Sequence, residues 1–217
     1  MNAEDNIVVR LHRFLPRTRA EGPGVRACLW VQGCSIKCAG CAVPWTWTAS
    51  GGTAIPVNDI EAMVLAEPGL DGVTFLGGEP FDQAAALAVL GRRLRRRGLG
   101  IVTFSGYRKE DLASGSKPDW LDLLAETDLL IDGPYMKTQH DLSRPWVGSL
   151  NKRYHFLTSR YSSADVEPAT HPNRVEVRVS ADGTVRINGM ASQTVFEQLR
   201  QEVEAVQGIP PAIVRTV

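Results

Sequence analysis

The amino-acid sequence predicts an α/β fold in which helices cover a parallel β-sheet. Short apolar segments at 72–76, 100–104 and 129–132 have the length and composition of buried strands. Two segments long enough for helices, 82–97 and 120–126, separate them. Strands that alternate with helices form βα units, whose right-handed crossovers keep the strands parallel. Such a sheet curls towards a barrel or stays open and twisted.

The segments before this repeat complete the predicted core. Residues 7–13 alternate β-branched and polar side chains, and residues 26–32 are apolar enough to be a buried strand. A turn at 21–24 joins these two strands. A loop at 51–53 then precedes a helix that Asn58 is placed to cap.

The pattern changes near residue 170. Two strictly alternating segments flank an Asp-Gly turn signal, which is typical of an antiparallel hairpin, and a helix and a Pro-Pro break follow. These features lie at 174–180, 182–183, 184–188, 192–206 and 210–211. We therefore predict a core over residues 1–170 and a hairpin-and-helix extension over 171–217 that carries no visible chemistry.

Composition and charge limit the expected partners. The 217 residues include 24 basic and 24 acidic side chains, and 43% hydrophobic residues are typical of a folded globular protein. A net charge of zero provides no field that draws the chain to nucleic acid or an anionic membrane, and the N-terminus has no apolar leader. We expect a cytoplasmic protein that binds neither. The arginine-rich run 91–97 suits a helix end and a solvated face, or a surface that docks an acidic protein.

Three of the four cysteines crowd into eight residues. Cys34, Cys38 and Cys41 follow a predicted strand with C-x3-C-x2-C spacing, which suits metal ligation better than disulfides. A structural zinc or an electron-transfer cluster usually has four protein ligands, so three cysteines leave one metal position open for chemistry. The alternatives are a zinc site completed by a distant histidine and three unrelated core cysteines. Cys28, on the preceding strand, is expected to be an inert buried thiol.

A second motif, Gly-Gly-Glu-Pro, lies between a predicted strand and a helix. Because parallel strands end at one edge of the sheet, this motif is expected beside the cysteines. Two glycines let the main chain approach a ligand closely, although a plain turn is the alternative. The motif is Gly77, Gly78, Glu79 and Pro80. Ser105 and Asp132 end the next two strands, and Asp132 is expected either to bind a cofactor or to cap its turn. Asp82 and Gln83 are expected to serve the start of the helix.

Several segments in a fixed order resemble the radical S-adenosylmethionine (radical SAM) superfamily. The resemblance covers roughly residues 7–157 and is closest to the proteins that activate glycyl radical enzymes, in particular the activase of the anaerobic ribonucleotide reductase. It is carried by residues 21–26, 30–34, 41–47, 76–80, 105–107, 130–134 and 148–153.

The resemblance implies a partial (βα)6-type TIM barrel and a 4Fe-4S cluster on the three cysteines. The amino and carboxylate groups of S-adenosylmethionine would bind the open iron, and one electron would cleave the sulfonium to a 5'-deoxyadenosyl radical that abstracts hydrogen. The family's cofactor contacts map onto Gly40, Cys41 and Ala42 beside the adenosine and onto the Gly-Gly-Glu-Pro segment beside the methionine. The implied partners are a glycyl radical enzyme and an electron donor such as flavodoxin or ferredoxin.

Two departures from the family pattern lie on the substrate side. Relatives commonly have His-Asn or Tyr-Asn where this chain has Ala42-Val43, and arginine where it has Val147. The reaction type therefore transfers more firmly than the substrate, and no catalytic residue is assigned. A radical SAM enzyme acting on a small molecule or peptide is the first alternative. An electron-transfer or zinc-stabilised binding module is the second.

Overall fold

The computed structural model describes residues 7–182, 184–207 and 214–215. They form a seven-stranded sheet, a three-stranded sheet and five α-helices. The strands are β1 (Val8–Thr18), β2 (Arg26–Val31), β3 (Thr53–Pro56), β4 (Gly72–Gly77), β5 (Gly100–Phe104), β6 (Leu129–Asp132), β7 (Arg153–Phe156), β8 (Val175–Val179), β9 (Val185–Gly189) and β10 (Val214–Arg215). The helices are α1 (Val57–Leu65), α2 (Ala84–Arg96), α3 (Lys109–Leu112), α4 (Pro118–Glu126) and α5 (Gln193–Gln207).

The large sheet has the strand order β3-β1-β2-β4-β5-β6-β7. Its central strands β2, β4, β5 and β6 are parallel, whereas β1 and β3 on one side and β7 on the other pair antiparallel. The expected α/β class is confirmed. Among the described residues the parallel part has three crossovers, fewer than the six βα units of the expected barrel.

The two faces of the parallel strands pack differently, because successive side chains of a strand point to opposite sides. In β2, Ala27, Leu29 and Val31 join the main core beneath α1, α2 and α4. Cys28 and Trp30 lie on the opposite face with Leu15 and Leu76. This second face borders the cavity described below.

A buried arginine ties the starts of the parallel strands together. Arg26 is fully buried, and its guanidinium donates to the carbonyls of Val73 and Gly100, each at 2.7 Å. It also donates to the Thr74 hydroxyl at 2.8 Å and to the Tyr161 hydroxyl at 2.7 Å. The arginine of the family-like segment 21–26 is therefore a structural anchor at the edge of the sheet opposite the cysteines.

The arginine-rich end of α2 meets acidic side chains of the same chain. Arg92 and Arg95 contact the Glu126 carboxylate at 3.1 and 3.4 Å. Arg97 lies 3.8 Å from a Glu61 oxygen. These contacts give part of the run a role within the fold.

The C-terminal hairpin and helix are confirmed as β8, β9 and α5, with β10 added parallel to β9. Gly183 of the expected turn and the break at 210–211 lie outside the described residues. Within the described part, no helix combines the length and the apolar character needed to cross a bilayer.

Candidate active site

The cysteines lie on a loop, residues 33–42, that leaves the end of β2. Its start is fixed because the Cys34 N–H donates to the Trp47 carbonyl at 3.1 Å. At its far end the Cys41 N–H donates to the Cys38 carbonyl at 3.1 Å, and Gly40 adopts a φ of 80°, in the left-handed region that favours glycine. The loop thus turns tightly and keeps all three cysteines in one short segment.

A cavity of about 850 Å³ opens at this edge of the sheet. All three cysteines of the loop line it. Most of the other residues expected from the sequence to bind the cofactor line it as well. These are Gly40, Ala42, Gly77, Gly78, Glu79 and Ser105.

The chemistry of the cysteine loop fits an iron–sulfur cluster, because cysteine thiolates are the usual cluster ligands. Cys34, Cys38 and Cys41 are free and partly accessible, and burial raises the pKa of the Cys34 thiol. Across residues 7–182, 184–207 and 214–215, no group of three or more His, Cys, Asp or Glu side chains is already arranged to hold a metal ion. The three thiols would therefore have to turn towards a common centre. Cys28 is fully buried and is not among the residues lining the cavity.

The two glycines of Gly-Gly-Glu-Pro allow the loop after β4 to touch the cysteine loop. A Cβ atom on Gly78 would lie 2.1 Å from the Gly33 carbonyl oxygen, closer than any real contact. The same oxygen accepts a hydrogen bond from the Glu79 N–H at 2.9 Å. Gly77 has a φ of 106°, and a Cβ there would clash with the backbone of Trp30. These glycines are therefore required by the fold whether or not a ligand is bound.

The Glu79 side chain joins the ends of two neighbouring strands. It is 1% exposed, and its carboxylate accepts hydrogen bonds from the Ser105 hydroxyl and from the N–H groups of Phe81 and Gly106, each at 2.9 Å. Burial raises the pKa of Glu79 to about 7, although these hydrogen bonds favour the charged form. Glu79 and Ser105 thus bind each other in addition to lining the cavity.

Asp132 and Pro80 do not line the cavity. The buried Asp132 carboxylate accepts from Arg153 Nη2 at 2.7 Å and from the Lys109 N–H at 2.6 Å, and His155 Nε2 lies 3.1 Å away. Burial raises the pKa of Asp132, but the hydrogen bonds from Arg153 and Lys109 outweigh burial and hold it below its usual value. The sequence left two roles open for Asp132, which were to bind a cofactor or to cap its turn. These hydrogen bonds match the capping role.

Lys152 is a cavity residue that the sequence analysis did not single out. Its Nζ donates to the Gly133 carbonyl at 2.6 Å. Burial lowers the pKa of its ammonium, whereas Cys38, Cys41 and Glu79 are among the groups whose charge opposes that shift. Lys152 thus places a positive charge near two of the cysteines. In the sequence, this role was signalled by the position of Lys152 within the family-like segment 148–153.

Trp47 and the C-terminal extension also contribute to the cavity. Trp47 lines it, and among the described residues its buried Nε1 has no hydrogen-bond partner. The extension, expected to carry no chemistry, also contributes to the lining. Its cavity residues are Gly189, Met190, Ala191, Gln193 and Phe196.

The family model for the 4Fe-4S single cluster domain matches residues 20–155, more than half of the chain. The chain therefore belongs to the 4Fe-4S single cluster domain family.

Curated relatives narrow this class. An anaerobic ribonucleoside-triphosphate reductase-activating protein of Enterobacteria phage T4 is 31% identical over 147 residues, covering 65% of this chain and 90% of the relative. Its counterpart from Vibrio cholerae is 30% identical over 156 residues, covering 68% and 97%. A putative glycyl-radical enzyme activating enzyme of Haemophilus influenzae is 36% identical over 102 residues, covering 46% and 39%. The resemblance to radical SAM activating proteins is thus confirmed, together with the 4Fe-4S cluster and S-adenosylmethionine as cofactors.

Proposed function

We propose that this protein cleaves S-adenosylmethionine reductively and uses the product to activate a partner glycyl radical enzyme. The observation that carries the proposal is the shared cavity, in which Cys34, Cys38 and Cys41 and the Gly-Gly-Glu segment all take part. An open metal position beside a loop that can receive an amino acid is the arrangement this reaction needs.

The cofactors supply the chemistry and the chain supplies position. When bound, the cluster and S-adenosylmethionine would supply one-electron reduction of the sulfonium and hydrogen abstraction from the substrate. The three cysteines would hold the cluster. The main chain of Gly77, Gly78 and Glu79 would receive the methionine end, and Gly40, Cys41 and Ala42 the adenosine end.

Two residues found in the structure extend this set. Lys152 carries a positive charge that offsets the negative charge of thiolates and of a bound carboxylate. Trp47 has a buried N–H that a ligand acceptor would satisfy, since an unpaired buried donor is costly. We assign Ser105 to the support of Glu79, and Asp132 and Pro80 to the shaping of their turns.

The partners and architecture complete the proposal. The protein substrate is a glycyl radical enzyme, and the electron comes from a small redox protein such as flavodoxin or ferredoxin. Loops after β2, β4 and β5 line one cavity, which supports a sheet curved as a partial barrel. We propose residues 1–170 as the catalytic core and 171–217 as an extension. The family match supports this division because it ends at residue 155, before the extension begins.

Anaerobic reconstitution tests the proposal. The protein, reconstituted with iron and sulfide and reduced in the presence of S-adenosylmethionine, is expected to release 5'-deoxyadenosine. Added to its partner, it is expected to produce a glycyl radical detectable by electron paramagnetic resonance. A zinc-containing protein that cleaves no cofactor would contradict the enzyme assignment. Release of 5'-deoxyadenosine without a radical on any partner would favour a small molecule or peptide as substrate.

Matched cysteine variants make the test specific. Cys34→Ala is expected to abolish the release of 5'-deoxyadenosine, because two remaining ligands do not hold the cluster. Cys28→Ala removes a thiol that is buried away from the cavity and is expected to retain the release. Equal activity of the two variants would refute the ligand assignment.

A further inference from the structure

The C-terminal extension reaches the reaction cavity although it lies beyond the family match. That match ends at residue 155, whereas the extension places five residues between 189 and 196 in the cavity lining. Three of them have apolar side chains, namely Met190, Ala191 and Phe196. A wall built from outside the shared domain can differ from relatives without altering the cofactor site.

A buried hydrogen-bond network fixes the extension to the core. Asn188 in β9 is 0% exposed and donates to the Thr18 hydroxyl at 3.1 Å and to the Glu21 carboxylate at 3.0 Å. Its side-chain oxygen accepts from Arg178 at 2.5 Å. Buried polar groups satisfied in this way specify one arrangement of the elements they join. The extension is thus held in one place and is not a loose tail.

Further contacts hold β8 against the end of β1 and the residue that follows it. The Arg19 N–H donates to the Glu176 carboxylate at 2.7 Å, and Arg178 donates to the Arg17 carbonyl at 2.6 Å. Gly189, at the end of β9, has a φ of 104°, and a Cβ there would lie 3.0 Å from the Ala20 side chain. The backbone at Gly189 therefore lies directly against the core.

Met190 and Phe196 occupy defined positions in this wall. The Met190 methyl group lies 3.4 Å from where a Cβ on Gly148 would be, and the Tyr135 ring is 3.7 Å from the same point. Phe196 is 7% exposed and packs with Val185 and Ile187. The extension thus adds an apolar surface beside cavity residues that belong to the core.

A second set of hydrogen bonds joins the extension to core residues that line the cavity. The Asn173 side chain accepts from the Trp146 N–H at 2.8 Å and donates to the Leu142 carbonyl at 2.8 Å. Trp146 and Leu142 both line the cavity. The segment leading into β8 therefore positions core residues of the cavity as well.

We infer that the extension is the wall that selects the hydrogen donor, with Met190 and Phe196 limiting the donor to an uncharged peptide segment that carries no bulky side chain at the reacting position. The inference rests on the proposed function and deepens it. Its basis is that four of the five wall residues are small or apolar and the fifth, Gln193, is uncharged, whereas the charged cavity residues Glu21, Glu79, Lys137 and Lys152 belong to the core. An apolar surface of fixed shape discriminates by size, about tenfold or more for a few extra carbon atoms.

Peptide binding to the holoenzyme tests the inference. The probes are two uncharged pentapeptides, acetylated and amidated, with Gly or Leu at the centre and Ala elsewhere. They are titrated anaerobically into the holoenzyme. Binding is followed by tryptophan fluorescence, because Trp30, Trp47 and Trp146 line the cavity. The wild-type protein is expected to bind the Gly peptide about tenfold more tightly than the Leu peptide. The double variant Met190→Ala/Phe196→Ala is expected to reduce this ratio to about threefold or less, whereas Met190→Trp is expected to weaken the binding of both peptides.

Val179→Ala is the matched control, since Val179 lies on the same extension and is 64% exposed. It is expected to keep the wild-type ratio. The inference is overturned if all variants show that ratio, or if the wild-type protein does not distinguish the peptides. Met190→Leu, which conserves volume, guards against loss of folding and is expected to retain most of the discrimination. Because binding is measured without turnover, the outcome is separate from the release of 5'-deoxyadenosine that tests the proposed function.

Discussion

The Asp82 carboxylate accepts two hydrogen bonds from Ser35, one from its N–H at 2.7 Å and one from its hydroxyl at 2.9 Å. The Tyr107 hydroxyl lies 2.7 Å from the same Ser35 hydroxyl. Asp82 was expected only to serve the start of a helix. It instead connects the cysteine loop, one residue after Cys34, to the segment that leads into α2.

Removing this connection is expected to loosen the cysteine loop without unfolding the protein. The variant Asp82→Ala loses the two hydrogen bonds by which a charged acceptor holds Ser35. After anaerobic reconstitution, the 4Fe-4S absorbance should decay several times faster in the presence of an iron chelator. Asp122→Ala, on the exposed surface of α4, is the control and should decay at the wild-type rate. Equal rates for both variants would show that Ser35 does not restrain the loop.

Lys152 is expected to contribute to the affinity for S-adenosylmethionine. Replacing its buried ammonium with the apolar chain of methionine removes a positive charge from a cavity that contains thiols and Glu79. We expect the Kd of Lys152→Met for S-adenosylmethionine to rise about tenfold, corresponding to about 1.4 kcal/mol. Equilibrium dialysis of the reconstituted protein measures this change. Lys109→Met, outside the cavity lining, should leave the Kd unchanged, and a rise in both variants would argue against a local effect.

The stability of the protein is expected to depend on pH through Glu21. Burial raises the pKa of Glu21 to about 7 from an ordinary value of 4.5. Between these two values the folded state keeps a proton that the unfolded state has lost, so the contribution to stability is greatest below pH 4.5 and falls as pH rises to about 7. A shift of this size corresponds to roughly 3 kcal/mol.

The variant Glu21→Gln should lose this dependence. Urea unfolding at pH 5, 6, 7 and 8 gives the free energy of unfolding of both proteins, and the difference between them should change by roughly 2.5 kcal/mol across the series. Glu79 has the same raised pKa and is unchanged, so the variant should retain a slope of the same sign. A constant difference between the two proteins would contradict the assignment.

Arg26→Lys is expected to destabilise the fold although it keeps the charge. The Arg26 guanidinium donates to five acceptors. A lysine ammonium has only three donors, so at least two of these acceptors would be left without a hydrogen bond. Two buried acceptors without partners cost roughly 3 kcal/mol, visible as a fall in Tm of several degrees. Arg174→Lys, at an exposed position, is the control and should melt with the wild-type protein. An unchanged Tm for Arg26→Lys would mean that water satisfies the freed groups.

The parallel strands were predictable because each is a short apolar run bounded by turn residues. The segments 100–104 and 129–132 are reproduced as β5 and β6. Two edge strands, β3 and β7, were missed because their pairing depends on neighbours distant in the chain. Thr53–Pro56 has no strong alternation of its own and pairs with β1 in the folded protein.

The residues of the candidate site also divide into those that local sequence predicts and those that depend on tertiary packing. The spacing of the cysteines and the Gly-Gly pair are local signals, and the structure places both at one cavity. Met190 becomes a cavity residue only through tertiary packing, which no local pattern encodes, and Lys152 was signalled only by its place in the family-like segment 148–153. The carboxylate of Asp132 could not be assigned from sequence, because its partner Arg153 lies 21 residues away on the adjacent strand.

Arg26 and the cysteine loop lie at the two ends of the same six-residue strand, β2. At a rise of about 3.3 Å per residue, these ends are roughly 17 Å apart. The anchor of the fold and its reactive edge are thus far enough apart to change independently. Ala42 and Val43, which replace the residues common in relatives, both line the cavity edge and are remote from the arginine. Substitutions at Ala42 and Val43 can therefore alter the reactive edge while leaving the hydrogen bonds of Arg26 undisturbed.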